Sequence, residues 1–158
     1  MLRRWLRRLR TDKKIIIGLL VGVAAAFALM QFWPLNRDNP TIVSEPAWDN
    51  TQTQQLTERA CFDCHSNETH WPWYTAIIPV GNMIVSDVER GRAVLNFSDW
   101  EQTCCTLEQI DDMATIINTG DMPLPYYLIL HPEARLSTVE QGQLVNGLIE
   151  TMNAALSE

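Results

Sequence analysis

One stretch constrains this chain more than any other: Ile15 to Trp33, IIIGLLVGVAAAFALMQFW, runs 19 residues without a charge. As a helix rising about 1.5 Å per residue, it comes close to the roughly 30 Å hydrocarbon thickness of a bilayer. Its flanks are unequal. Arg3, Arg4, Arg7, Arg8, Arg10, Lys13 and Lys14 precede it with only Asp12 opposing them, and cations placed this way stay on the cytoplasmic side of a spanning helix. The expected topology is single-pass. Residues 1–14 form a basic cytoplasmic segment, residues 15–33 a transmembrane anchor with Trp33 at the outer interface, and everything from Pro34 onward lies outside. A cleaved signal peptide is the alternative, because Ala26-Phe27-Ala28 fits a small-x-small cleavage site; the apolar run continuing to Trp33 favours the anchor. Both readings export the remainder. Gly18, Gly22 and Ala26 form a small-residue stripe that allows another helix to approach closely.

Beyond residue 14 the chain carries 5 basic and 18 acidic residues. Phosphate recognition depends on clustered Lys and Arg, so nucleic acid is excluded as a partner of the exported part. Residues 34–53, with Pro34, Pro40 and Pro46 among Asn, Asp, Ser and Thr, read as an extended linker that lets the following domain stand off the membrane. Residues 54–158 are expected to be all-α, with four or five short helices, long loops and no strand. Ser98 with Glu101 and Ser137 with Glu140 fit capping boxes, and Gly120 suits a helix end. A last helix is expected from Thr138 to about Leu156, where Val145, Leu148, Ile149, Met152 and Leu156 recur at helical spacing.

The chemistry lies in Cys61-Phe62-Asp63-Cys64-His65, a C-x-x-C-H motif. On one helical turn, cysteines at i and i+3 face the same side and can form thioethers to the two vinyl groups of a haem. The adjacent His65 can then present a nitrogen to the iron. A redox dithiol would want a strand before it, whereas residues 54–60 look helical, and a zinc site would want a second ligand pair. The expectation is one covalent haem c. For the second axial ligand Met122 is favoured, since Gly120-Asp121-Met122-Pro123-Leu124-Pro125 is a proline-stiffened loop suited to presenting a sulfur. His70, His131 or an open sixth position remain alternatives. Met83, Met113 and Met152 sit at helical spacing among apolar residues and read as core filling.

The runs CFDCHSNETHWPWYTAIIPVGNMIVSDVERGRAVLNFSDW and GDMPLPYYLILHPEARLSTVEQGQLVNGL resemble the haem-binding domain family of small bacterial c-type cytochromes, over roughly residues 54 to 156. The second run also resembles class I cytochromes c, in which a Met-Pro loop precedes a C-terminal helix. The resemblance implies a small helical cytochrome c-like domain in which Cys61 and Cys64 attach the haem, His65 is the proximal ligand and Met122 the distal one. It also implies that Pro79 supplies the carbonyl that accepts the second imidazole N–H of His65.

Trp71, Trp73 and Tyr74 are expected to pack beside the haem. Adjacent Cys104 and Cys105 are expected to be free buried thiols, with a bridge to another chain or a strained vicinal disulfide as the alternatives. The expected function is electron transfer rather than catalysis, from a haem domain tethered to the bacterial cytoplasmic membrane and facing the periplasm or the exterior. The protein would act as a carrier or as the haem subunit of an oxidoreductase complex, with a membrane-bound redox complex or other cytochromes as partners. A haem sensor or peroxidase, or a structural accessory subunit, are the alternatives.

Overall fold

The computed structural model describes residues 2–157, with side chains from residue 13 onward. Eight α-helices occur among the described residues: α1 (Leu2–Met30), α2 (Thr51–Ala60), α3 (Phe62–His65), α4 (Val80–Val94), α5 (Trp100–Thr103), α6 (Leu107–Thr119), α7 (Tyr127–Leu130) and α8 (Thr138–Leu156). Single 3-10 turns at Trp73–Ala76 and Pro132–Ala134 complete them. No β-strand forms among the described residues, only a lone bridge between Ser44 and Asp99. The all-α expectation holds: α2, α4, α6 and α8 are helices of ten residues or more, and the rest of the domain is single turns and loops.

Helix α1 contains a segment, Lys13–Met30, that is long and apolar enough to cross a membrane. Each of its residues is exposed to the surroundings. The regular helix stops three residues short of Trp33 and passes through i→i−3 turns at residues 31–33 ahead of Pro34, and Gln31 turns its amide onto the domain. Gln31 Nε2 donates to the Ile78 carbonyl (3.1 Å) and Gln31 Oε1 accepts the Ile78 N–H (3.0 Å).

Residues 34–50 are extended, but they are no free spacer. The Val43 and Ser44 amides donate to the Ser98 carbonyl at 2.8 and 3.3 Å, and the Trp100 amide donates back to Ser44. Asn67 Nδ2 donates to the Thr41 carbonyl (2.9 Å) and Arg92 to the Asp38 carbonyl and the Asn39 side chain. Trp48 packs on Phe97 with ring centroids 5.6 Å apart. The segment is a strap fastened to the domain through parts of its backbone and the Asn39 and Ser44 side chains, which its composition alone does not reveal.

The core sits where α8 crosses α2 and α6. Leu144, Leu148 and Met152 repeat at i, i+4 and i+8 on one face of α8 and are almost fully buried. Each such side chain contributes about 1.5–3 kcal/mol on burial. The Ser137–Glu140 capping box is formed. The one expected at Ser98 is not: α5 starts after Asp99, and the Ser98 hydroxyl instead accepts the Asn67 amide. Helix α6 ends on Gly120 with φ 78°, the left-handed conformation that glycine adopts without a Cβ clash. That ending turns the chain into the loop carrying Met122.

Candidate functional site

Helices α3, α4, α6 and α8 and the loop after α6 enclose an apolar cavity of about 400 Å³. Cys61, Cys64 and His65 line one wall, and Met122, Pro123 and Leu124 line it from the loop. Four of the five residues singled out for the cofactor therefore meet in one space. Apolar groups fill in between, notably Phe97, Met113, Ile117, Leu144 and Leu148.

The motif wall is tightly specified. Cys61 ends α2 and opens α3, its carbonyl accepting the Cys64 and His65 amides at 3.1 and 2.9 Å, while the His65 carbonyl accepts the Phe97 amide at 2.7 Å. Beneath it, Phe97 stacks between Phe62 and Trp100. Gly91 of α4 lies directly over α3, where a Cβ would collide with the Cys64 carbonyl. The Arg92 guanidinium then reaches from α4 to the Ser66 carbonyl (2.7 Å) and Thr69 Oγ1 (2.8 Å).

The His65 imidazole is oriented by its Nδ1, which lies 2.9 Å from the Leu95 carbonyl. This corrects the expectation for Pro79. Pro79 precedes the N-terminal end of α4, whereas Leu95 caps its C-terminal end, where carbonyls are left without intrahelical partners and are free to accept a side-chain donor. Burial lowers the imidazole's pKa, with the Leu95 bond opposing. It therefore favours the neutral ring, the state in which a histidine nitrogen ligates metal.

Both motif thiols are pushed up to about 12, Cys61 by burial and then by Cys64, and Cys64 by burial and then by Asp63 and Asp87. They are protonated at neutral pH, the reverse of the lowered pKa that a redox dithiol requires.

The rival ligands are placed elsewhere. His70 is exposed and does not line the cavity. His131 is held outside it, its Nε2 2.6 Å from the Tyr74 hydroxyl, its Nδ1 3.0 Å from Glu133, and its ring stacked on Tyr127. Met152 is core. Met113 is both core and cavity wall. Met83, expected as core filling, is exposed. Trp71, Trp73 and Tyr74 do not line the cavity either, and Trp73 faces outward. Where free thiols were expected, the sulfurs of Cys104 and Cys105 are bonded to each other in the loop between α5 and α6.

Two tyrosine–carboxylate pairs went unforeseen. The Tyr127 hydroxyl donates to Asp63 (2.7 Å) and the Tyr126 hydroxyl to Asp87 (2.6 Å), and all four residues line the cavity. Burial and then the Asp87 bond push Tyr126 up to about 12, and the same two causes, with Asp63, raise Tyr127. Both therefore stay neutral donors. Arg90, also lining, pairs with Asp87. A pair of tyrosines directly after Pro125 is the only sequence signal, and it does not name the carboxylates.

No curated protein and no solved structure matches this chain. A family model described as a haem-binding domain matches residues 25–150, a span that takes in the strap, the motif wall, the Met122 loop and most of α8, and the chain belongs to the haem-binding domain family.

Proposed function

We propose that this protein is a membrane-anchored monohaem c-type cytochrome that passes electrons outside the cytoplasmic membrane, as a tethered carrier or as the haem subunit of a larger redox complex. One observation carries the reading: Cys61, Cys64, His65 and Met122 line a single apolar cavity. The residues fit the group. Two thiols at i and i+3 would form the thioethers, a neutral imidazole would ligate from the motif wall, and a thioether sulfur from the loop. A bound haem supplies a one-electron ferric/ferrous couple. Around it, the Leu95 carbonyl holds the imidazole in one orientation and raises its basicity. Ligation by His65 together with the Met122 sulfur would raise the potential relative to two nitrogen ligands. The apolar lining keeps water away and lowers the local dielectric.

A peroxidase or gas sensor works instead through an open coordination position, and Met122 in the cavity wall speaks against one. The acidic exported part implies a partner with a basic docking surface, with electron transfer slowed by salt. The test begins with acid-acetone denaturation of the purified protein, which should leave one haem on the polypeptide. The folded protein should then cycle reversibly between two oxidation states without binding carbon monoxide. Extractable haem would refute the c-type assignment, and avid carbon monoxide binding would refute electron transfer through a closed site.

A further inference from the structure

The end of α1 is fastened to the domain at one place. Besides a bond back to the Phe27 carbonyl of its own helix, the Gln31 amide makes two hydrogen bonds with the Ile78 backbone, and Leu35 packs so closely on Gly81 that a Cβ there would lie 2.7 Å from its Cδ1. The apolar segment of α1 ends at Met30, one residue before this clamp. The polar layer of a bilayer is about 5–8 Å deep on each side of its hydrocarbon core. A backbone bonded directly to residue 31 must then lie in or beside that layer when α1 spans.

The surface around the clamp has a matching composition. Residues 71–86, WPWYTAIIPVGNMIVS, contain no charge over 16 residues, in an exported part that otherwise bears 18 acidic side chains. Within it Trp73 is 78 % exposed, Ile77 37 %, Val80 42 % and Met83 47 %. Val80 and Met83 are three apart on α4 and share a face. Phe32 and Trp33, 85 % and 70 % exposed, follow the anchor directly. Large apolar side chains left outward, with tryptophans among them and no carboxylate between, have the chemistry of a lipid headgroup boundary.

We propose that the haem domain lies on the membrane through this face, with Trp73, Ile77, Val80 and Met83 inserted at the lipid interface beside Phe32 and Trp33. The proposal rests on the reading of α1 as a membrane-spanning helix. The domain is then held in one orientation rather than swinging on a tether. Since α4 begins in this face and lines the cavity from Asp87 to Val94, the cavity lies within about 20 Å of the lipid surface, measured along the helix.

The test uses the full haem-loaded chain in vesicles of zwitterionic and anionic phospholipid, with a photoreactive diazirine carried near the lipid glycerol backbone. Adducts are mapped by mass spectrometry. Labelling is expected on residues 32–33 and on 73–83, and not on Leu107, Ile129 or Leu130, which are as apolar and as exposed but belong to other elements. A Trp73→Glu/Val80→Glu variant should lose the 73–83 adducts while keeping those on 15–33 and an unchanged haem spectrum. Adducts on 15–33 without any on 73–83 would overturn the proposal and leave the anchor intact, freeing that face for a protein partner. Equal labelling of Leu107 and Ile129 would overturn it as non-specific contact, and absence of adducts on 15–33 would overturn the spanning reading together with it.

Discussion

The two walls of the cavity are built to different standards. On the motif wall, His65 is fixed through its amide, its carbonyl and its ring nitrogen at 2.9, 2.7 and 2.9 Å, under a helix whose Gly91 permits no larger residue. On the loop wall, one backbone acceptor holds Met122. Its amide and that of Asp121 share the Ile116 carbonyl at 3.1 and 3.0 Å, and Pro123 and Pro125 stiffen the loop beyond it. The difference teaches that one of the two proposed ligands, His65, is over-determined by the fold, whereas the other, Met122, depends on a helix ending and a loop. Disturbing the first should damage the protein, and disturbing the second should change only the group that meets the metal.

The largest expected effect comes from the motif wall. Replacing both Cys61 and Cys64 by Ser should leave no haem on the denatured polypeptide, read from its absorption after acid-acetone treatment. Covalent haem surviving in that variant would place the attachment elsewhere. Met122→Ala comes next. It should retain covalent haem, lose the weak far-red band of sulfur-to-iron ligation in the oxidised protein, and gain carbon monoxide and cyanide binding. A spectrum unchanged by the substitution would pass the role to another residue, with Met113 the first to test because it also lines the cavity.

A third variant measures the rigidity of the motif wall directly. Gly91→Ala puts a methyl against the Cys64 carbonyl, a backbone atom that cannot turn aside. Overpacking of this kind costs about 1–3 kcal/mol, which outweighs the roughly 1 kcal/mol that alanine gains over glycine inside a helix. Gly142→Ala is its control, since nothing lies within 4 Å of a Cβ at that position of α8 and only the propensity gain applies. Denaturant unfolding should shift the two variants in opposite directions. A Gly91→Ala protein as stable as the parent would show that α3 and α4 separate easily and that the two walls are alike.

Legibility in the sequence divides along the same line. Most features whose physics is local were readable: the uncharged run of α1, the C-x-x-C-H turn, Gly120 as a helix end, the Ser137–Glu140 box and the Met122 loop; the Ser98–Glu101 box was not, because the Ser98 hydroxyl is taken by the distant Asn67 amide. Features that depend on a distant partner were not. The acceptor for His65 is a backbone carbonyl, which any residue offers, so only the length and angle of α4 decide between Pro79 and Leu95. The strap looked like a spacer because Asn and Ser suit loops. Here Asn67, Asn96 and Ser98 form a buried network with it, Asn96 Nδ2 donating to Asn67 Oδ1 at 2.9 Å, and both partners must be in place before it can exist. Trp73 and Met83 read as packing because apolar residues in a polar domain usually are; tertiary placement turned them outward.

The smallest expected effect lies behind both walls and tests whether they are independent of the rest of the domain. Glu140 closes the capping box of α8 and also meets Arg59 of α2 at 2.6 Å. The Ser137 backbone N–H, then Arg59, then the Ser137 hydroxyl hold its carboxyl down to about 2 from an ordinary 4.5. Because the folded value is the lower one, this group's stabilisation is complete above 4.5 and is lost as pH falls toward about 2. The site is open to solvent, which screens it, so the loss should be small. Unfolding midpoints of the parent and of Glu140→Gln, measured across that interval, should converge as pH falls, since the glutamine has no charge to lose. The haem spectrum of both should stay the same throughout, because neither Arg59 nor Glu140 lines the cavity. Midpoints that remain a constant distance apart would remove the ionised carboxylate from the α2–α8 contact, and a spectrum that changed with the substitution would show that the Met122 wall responds to α8.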